Sequence, residues 1–259
     1  MIGLPPGTIL QLMYLRERLR INSDKLRFLD IGAGNGMISK LLLDLGHNGI
    51  AIDLNLSACE KNRVSNQKAI SENRFSVVNG NLLEYSDSNK FDLIIASMVI
   101  EHLPKDTLIP FIAHCKELLK SEGKIVFFVP SSMKYWGIED EIAGHVLRYE
   151  HEDVYKLGEE FELNVNHIAG LTYPLSNWLF KLSNRIIQSK ESDKLKLSEQ
   201  DRTVYTGNRE LNYKTQFPAI FNVILNPIVL YPLYLLQKLN LKQRNAMVLY
   251  MELTKTKEA

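Results

Sequence analysis

The run LDIGAGNG at residues 29–36 places an acid, Asp30, just before three glycines, Gly32, Gly34 and Gly36. Glycine is needed where a backbone turns sharply or lies against a ligand with no Cβ in the way. Between a strand and a helix, such a turn makes the floor of a nucleoside site. Its spacing separates two classes of ligand. A dinucleotide fingerprint reads G-x-G-x-x-G and aims a helix N-terminus at pyrophosphate. Here the glycines fall as G-x-G-x-G, Met37 stands where the third dinucleotide glycine belongs, and Asp30 would repel a pyrophosphate. A cationic ligand suits that acid better. Asp53 closes the run GIAID (49–53). A carboxylate there accepts from both hydroxyls of a ribose, whichever nucleoside carries it.

A second group of residues can act on a second molecule. Glu101 and His102 follow the apolar run FDLIIAS (91–97), and His102 can accept a proton near neutral pH. Ser97 ends that run without a G-x-S-x-G elbow, so it offers backbone rather than a nucleophile. The segment IEDEIAGHVLRYEHED (138–153) supplies His145, a base or an orienting group, and Arg148, suited to grip a phosphate or carboxylate through two hydrogen bonds. The alternative for Arg148 is an arginine–glutamate brace that holds the loop shut. His145 with Glu139, Asp140 and Glu141 matches no metal-ligand spacing, so no metal is expected. Cys59 and Cys115 form neither a ligand cluster nor a disulfide framework and read as small apolar filler.

These residues need elements to bring them together. LRFLD (26–30) reads as a strand. The helix after the glycine turn runs to about Leu45, with Ile38, Leu41, Leu42 and Leu45 on one face and Gly46 as its stop. GIAID is the second strand, and Ser57 with Glu60 forms a capping box for the next helix. FSVVN (75–79) and FDLIIAS (91–97) are strands three and four. A helix from about Pro104 to Lys120 ends at Gly123 and leads to a fifth strand, KIVFFVP (124–130). A helix at 151–160, a strand near 161–168 and a last strand MVLYMEL (247–253) complete the series, with an amphipathic helix Thr8–Arg20 ahead of it. Alternating strands and helices imply a parallel sheet wound on both sides, with ligands at the carboxyl ends of the strands. The polar motifs follow strands one to four, at that end.

Residues 26–130 resemble the core of class I S-adenosylmethionine-dependent methyltransferases. The matching pieces, in order, are LDIGAGNG, the acidic end of GIAID, NGNLLEY (79–85), FDLIIASMVIEHL (91–103) and LLKSEGKIVFFVP (118–130). The resemblance implies a Rossmann-like α/β sheet, mostly parallel, whose last strand, here MVLYMEL, runs antiparallel. It implies S-adenosylmethionine as the methyl donor, with Asp30, Gly32 and Gly34 at its methionine part, Asp53 at the ribose, Asn81 and Leu82 flanking the adenine, and Ser97 nearby. The family usually has an acid where this chain has Asn81. Asparagine still accepts through its side-chain oxygen, though without the strength of a charged acceptor; the other reading of Asn81 is turn chemistry after Gly80. An EHL segment is frequent in the family beside the methyl group, which places Glu101 and His102 there. Residues 138–153 resemble the acceptor-side loop of a subgroup with the pattern GH-x-x-RYE, here Gly144, His145, Arg148, Tyr149 and Glu150. His102 and His145 are then the catalytic candidates, and Glu101, Arg148 and Tyr149 the substrate-binding ones.

The rest of the chain bounds this reading. A length of 259 residues, 45% hydrophobic and 24% charged, suits one large α/β domain with an added cap. A net charge of +1 gives no field to recruit nucleic acid. The start MIGLPPG lacks the basic region of a secretory signal, so a cytoplasmic location is expected, with peripheral contact at the inner face of the membrane as the alternative. Residues 1–170 and 246–259 form the core, and 171–245 a helical insertion over the acceptor. Segment 190–206 is polar and reads as a loop or lid. Thr215 to Gln237 carries no charge, but Pro218, Pro227, Pro232, Asn222 and Asn226 argue against one spanning helix. It reads as two broken apolar helices lining a pocket; the sharper alternative, with Lys214, Lys238, Lys242 and Arg244 flanking, is a membrane-surface patch. The function expected is methyl transfer to a small-molecule acceptor, lipid-linked, glycan or quinone-like, at oxygen, because a hydroxyl needs a proton acceptor such as His102 or His145. Two alternatives stand: a donor-binding partner protein without chemistry, suggested by Asn81, and a nicotinamide-dependent oxidoreductase.

Overall fold

Seven apolar segments pair into one sheet. The computed structural model describes residues 4–20, 24–191 and 223–256. The strands are β1 (Arg27–Ile31), β2 (Asn48–Asp53), β3 (Phe75–Asn79), β4 (Phe91–Ser97), β5 (Leu119–Pro130), β6 (Leu163–Leu171) and β7 (Val248–Lys255), in the order β3-β2-β1-β4-β5-β7-β6. β1 to β5 pair in parallel. β7 inserts antiparallel between β5 and β6, as the resemblance implied for MVLYMEL.

Alternate residues of the central strands feed two cores, one on each face, which is why these strands read as continuous apolar runs. On one face Leu29, Ile94 and Phe127 pack beneath α5 (Lys105–Leu118) and α7 (His151–Glu160). On the other, Phe28, Ile95 and Phe128 pack beneath α1 (Pro6–Arg20) and α2 (Met37–Asp44). The loops at the strands' carboxyl ends are thereby held on a rigid base.

Local signals were less reliable than the strand pattern. Helix α3 (Leu56–Ser65) is capped not by Ser57 and Glu60 but by Asn55, whose side chain accepts from Ala58 N at 3.2 Å. Asn55 wins because Asp53 already turns the chain one residue earlier by accepting from Asn55 N. A short α4 (Gln67–Ser71) follows. Gly123 does not end α5; the helix stops at Leu118 and Gly123 lies inside β5, where a Cβ would meet Leu119 and the Phe91 carbonyl. Close strand approach, not a helix stop, explains that glycine.

The apolar last strand contains one buried charge. Glu252 on β7 is 2% exposed. It accepts from Arg18 of α1 at 2.8 Å, Lys124 of β5 at 2.7 Å and the Tyr250 hydroxyl at 2.6 Å.

Of the insertion, two helices are described, α8 (Leu175–Glu191) and α9 (Tyr231–Leu239), with α6 (Ile138–Ala143) packed against α8. The expected loop at 190–206 lies outside the described residues except for its first two, which end α8. Of 215–237, residues 215–222 lie outside the described residues; the rest contains one helix, α9, with Pro232 in its first turn, where a missing N–H costs nothing. Glu17 ties α9 to α1 by accepting from the Tyr234 hydroxyl at 2.6 Å and Lys238 Nζ at 2.5 Å. Among the described residues, no helix is long and apolar enough to cross a membrane.

Candidate active site

The turn after β1 is built to leave space. Gly32 and Gly34 both adopt positive φ, +63° and +53°. A Cβ on Gly32 would sit 2.5 Å from Val99 Cγ2, so the turn lies directly on the segment after β4. A Cβ on Gly34 would meet nothing within 4 Å. At Gly36 the missing Cβ makes room for Asn62 of α3. The open side of the turn is therefore at Gly34.

Asp53 faces that opening from the end of β2. Its Oδ2 accepts from Gly34 N and its Oδ1 from Asn55 N, both at 2.8 Å. Each oxygen keeps a second lone pair for a ribose hydroxyl. Leu54, next in the chain, is 76% exposed, and Leu83 is 38% exposed beyond the neighbouring end of β3. These two leucines offer apolar surface to a base. Leu82, expected to flank the adenine, points instead into the core and is 5% exposed. The glycine run and the acid were legible in the sequence; an exposed leucine beside an acid carries no sequence signal.

Asp30 lies beneath the turn, 1% exposed, with Ser39 Oγ donating to it at 2.5 Å. Burial pushes its carboxyl up to about 7, although the Ser39 hydrogen bonds pull the other way. It anchors the turn to α2 through Ser39. Asn81 caps the turn after β3, accepting from Leu83 N at 3.1 Å through Oδ1. This is the turn chemistry expected after Gly80, and the adenine contact expected of Asn81 would use the same oxygen. An aspartate there would keep the cap and add a charged acceptor. Asn81→Asp is expected to tighten donor binding by roughly 3–10-fold, since charge-assisted hydrogen bonds are about twice as strong as neutral ones. Titration of both proteins with the donor checks this, and equal affinities would place the adenine elsewhere.

The second cluster forms where β4 ends. Ser97 is half-buried, and Met98 turns the chain with φ +55°, its N–H bonding to Phe128 O at 2.9 Å. The loop 144–149 is stitched onto this turn by Val146 N to Glu101 O at 2.8 Å and Tyr149 N to Pro130 O at 2.9 Å. His102 and His145 meet edge to face, ring centroids 4.7 Å apart. His102 Nδ1 bonds to the Gly144 carbonyl at 3.3 Å, and His145 Nδ1 to Asp140 Oδ1 at 2.8 Å. Both partners only accept, so both Nδ1 atoms carry a proton, and in the neutral ring Nε2 is left with a lone pair. Burial, with His145 adding, pulls His102 down to about 4, which weakens it as a base. Glu101 is fully buried, and neither carboxylate oxygen has a hydrogen-bond partner among the described residues. Burial pushes its carboxyl up to about 8.

Arg148 and Tyr149, expected to touch substrate, face inward. Arg148 is 4% exposed and donates to Asp140 Oδ1 at 2.8 Å and the Ser131 carbonyl at 3.0 Å. It is the loop brace, paired with an aspartate rather than a glutamate. Tyr149 is 3% exposed in the core, its hydroxyl donating to Ile100 O at 3.4 Å. Asp140 was the residue missed: it takes His145, Arg148 and Gly137 N at once. Burial works to raise its carboxyl, but the bonds from His145 and Arg148 prevail and hold it below the usual range.

Two clefts indent other faces. One of about 510 Å³ runs along α7 and β6 beside Tyr155 and Glu162, and one of about 420 Å³ lies between α1 and α9 beside Arg16 and Tyr234. Neither includes a residue of the two clusters.

Comparison with known proteins decides the family. The model of a family described as a methyltransferase domain matches residues 9–168. The chain belongs to that family. This methyltransferase is similar to the ubiquinone biosynthesis O-methyltransferase of Rickettsia typhi, 24% identical over 193 residues, covering 68% of this chain and 77% of the relative. It is also similar to the protein of that name from Bartonella quintana, 29% identical over 153 residues, covering 54% and 60%. In fold it is similar to the magnesium protoporphyrin IX methyltransferase of Synechocystis PCC 6803 with bound S-adenosylhomocysteine (TM-score 0.54, 16% identity, 64% of this chain and 77% of that one). The methyltransferase is thus of class I and uses S-adenosylmethionine. The family displaces the nicotinamide alternative. The residues present fit that donor: an open glycine turn, a carboxylate with spare lone pairs and two exposed leucines.

Proposed function

We propose that this methyltransferase methylates a hydroxyl oxygen on a quinone-like, phenolic acceptor bound at the end of β4. The observation that carries this reading is the Glu101–His102–His145 cluster. It presents two imidazole lone pairs and a carboxylate beside the Val99 segment on which the donor's glycine turn rests. Methyl transfer to carbon or to a neutral amine has less need of such a group. Transfer to a hydroxyl has a proton to lose as the new bond forms.

Bound S-adenosylmethionine supplies a methyl group already activated on a sulfonium sulfur. The chain's own residues do the rest. Gly34 and Asp53 hold the donor at the turn, Leu54 and Leu83 flank its base, and Asp30 braces the turn from beneath through Ser39. Asp140 and Arg148 fix the loop that carries His145. Holding two reactants in line is worth roughly 7–11 kcal/mol in favourable systems. The names of the O-methyltransferase relatives support a quinone-type acceptor. So do the exposed Ile228, Tyr231, Leu235 and Leu239 around α9, an apolar surface suited to a lipid-borne acceptor and to peripheral contact with a membrane. In this reading the described part of the insertion covers the acceptor, with α8 resting on α6 beside Asp140.

The test is to incubate the protein with methyl-labelled donor and a panel of acceptors: catechols with and without a long apolar tail, primary amines and carboxylates, each free and in vesicles. Label is expected on the catechols, with the tailed ones preferred. Label on the amines, or on no acceptor, would reject the proposal.

A further inference from the structure

We propose that Asn62 and Asn66 of α3 are positioning residues for the methyl donor. They fix the far half of the glycine turn and so set where the donor's methionine part lies relative to its ribose. The role rests on the donor placement at Gly34 and Asp53 proposed above.

The turn is held in different ways at its two ends. Its near half belongs to the sheet: Gly32 N and Ala33 N both donate to the Ile52 carbonyl, at 2.9 and 3.4 Å. Its far half lies on α3. Gly36 has φ +78°, and a Cβ there would sit 2.1 Å from Asn62 Oδ1 and 2.6 Å from Asn66 Nδ2. Asn66 Nδ2 donates to the Gly36 carbonyl at 3.2 Å and to Asn62 Oδ1 at 2.8 Å. Both partners accept, which fixes the orientation of the Asn66 amide, and its two hydrogens serve the two bonds.

This hold is placed where polar groups are costly. Asn62 is 1% exposed and Asn66 5%. Asn62 Nδ2 has no hydrogen-bond partner among the described residues. A buried amide hydrogen without a partner calls for an explanation. Two apolar side chains of similar shape would fill the space without that cost. The fold does not need Asn66 to satisfy the Gly36 carbonyl, which also accepts from Lys40 N at 2.8 Å. What apolar side chains would not supply is a directed bond onto the turn beside Gly34.

The other end of α3 starts at the acid that faces the ribose. Asp53 Oδ1 accepts from Asn55 N, and Asn55 caps the helix. Asn79 of β3 donates to the Asp53 and Leu54 carbonyls, each at 3.0 Å, so this end is fixed independently of Asn66. α3 is ten residues, about 15 Å, of regular helix. One rigid element thus ties the ribose acid to the far half of the turn. Groups that bind a reactant must be held to within about 0.5 Å, and neighbouring residues with locked rotamers do this. The sequence hides the pair, because two asparagines four apart read as an ordinary polar helix face.

The experiment uses the full chain and two probes, S-adenosylhomocysteine and adenosine, each labelled and followed by equilibrium dialysis beside a thermal melt. Adenosine reports the ribose and base contacts, and S-adenosylhomocysteine adds the part that lies on the turn. Asn62→Leu/Asn66→Leu and Asn66→Ala should each weaken S-adenosylhomocysteine binding about tenfold, and leave adenosine within about twofold of the wild type. The double leucine variant should melt near the wild-type temperature; Asn66→Ala, which adds no volume, carries the test if the leucines do not pack. Lys61→Ala, on the exposed face of α3, should change neither affinity. Wild-type affinity for S-adenosylhomocysteine in folded variants would overturn the proposal. So would an equal loss for both probes together with a lower melt, the mark of a purely structural pair. A Gly34→Leu protein that still binds S-adenosylhomocysteine would instead overturn the donor placement itself. Loss of binding in Gly34→Leu with unchanged asparagine variants would keep that placement and reject the role of Asn62 and Asn66.

Discussion

Gly34→Leu is expected to abolish donor binding, weakening it at least about 100-fold, which is roughly 2.8 kcal/mol, while the protein stays folded. The prediction follows from the empty side of the turn. A side chain on Gly34 meets nothing within 4 Å, so the protein alone has room for it. The same space is where the donor must lie between the turn and Asp53. A non-glycine residue at φ +53° adds about 1–2 kcal/mol of backbone strain, which a domain of this size tolerates. Gly32 would not separate the two effects, because its Cβ would clash with Val99 and disturb the fold itself. Equilibrium dialysis with labelled donor, beside a thermal melt, makes the test. A folded Gly34→Leu protein that binds the donor as the wild type does would mean the donor lies somewhere else.

Glu252→Gln is expected to destabilise the protein by roughly 3 kcal/mol at pH 7. Burial works to raise the Glu252 carboxyl, but hydrogen bonds from Arg18, Lys124 and Tyr250 prevail and bring it from 4.5 down to about 2. A carboxyl lowered on folding stabilises the protein fully above its unfolded pKa, and that contribution is lost as pH falls through the folded one. The window therefore runs from about pH 4.5 down to about pH 2. Arg18 and Lys124 keep about 30% exposure and can regain water when the carboxylate is removed, which holds the cost at the low end of the roughly 3–5 kcal/mol for a broken buried pair. Urea unfolding at pH 7 and pH 3 reads the effect. The gap between wild type and variant should shrink by more than half at the lower pH; a gap under about 1 kcal/mol at pH 7, or one independent of pH, would show that Glu252 is not the anchor of α1.

The grouping of the glycine turn with Asp53 was legible because it is local. Asp30, Gly32 and Gly34 lie within five residues, and Asp53 ends the next strand, so β1 and β2 need only pair in parallel to bring them together. The antiparallel last strand was legible through the resemblance. What stayed hidden was set by long-range pairing. Glu252 looks like a stray charge in MVLYMEL, and its partners Arg18 and Lys124 are 234 and 128 residues away. The inward turn of Arg148 and Tyr149 depends on Asp140 and Ile100, reached only once the loop 144–149 bonds to the segment after β4. Gly123 and Ser57 misled for another reason: a glycine after a helix and a serine before one are valid stop and start signals, and strand contact and Asn55 prevailed over them here.

In the proposed reaction a methyl group passes from a sulfonium donor held at the Gly34 turn to an oxygen held at the β4 cluster. Its most direct test is carbon-13 NMR of the reaction between ¹³C-methyl donor, the protein and a tailed catechol. The expected result is a methyl-ether resonance that grows in step with S-adenosylhomocysteine, one for one. A nitrogen- or carbon-bound methyl, or donor that is bound and never turned over, would contradict it.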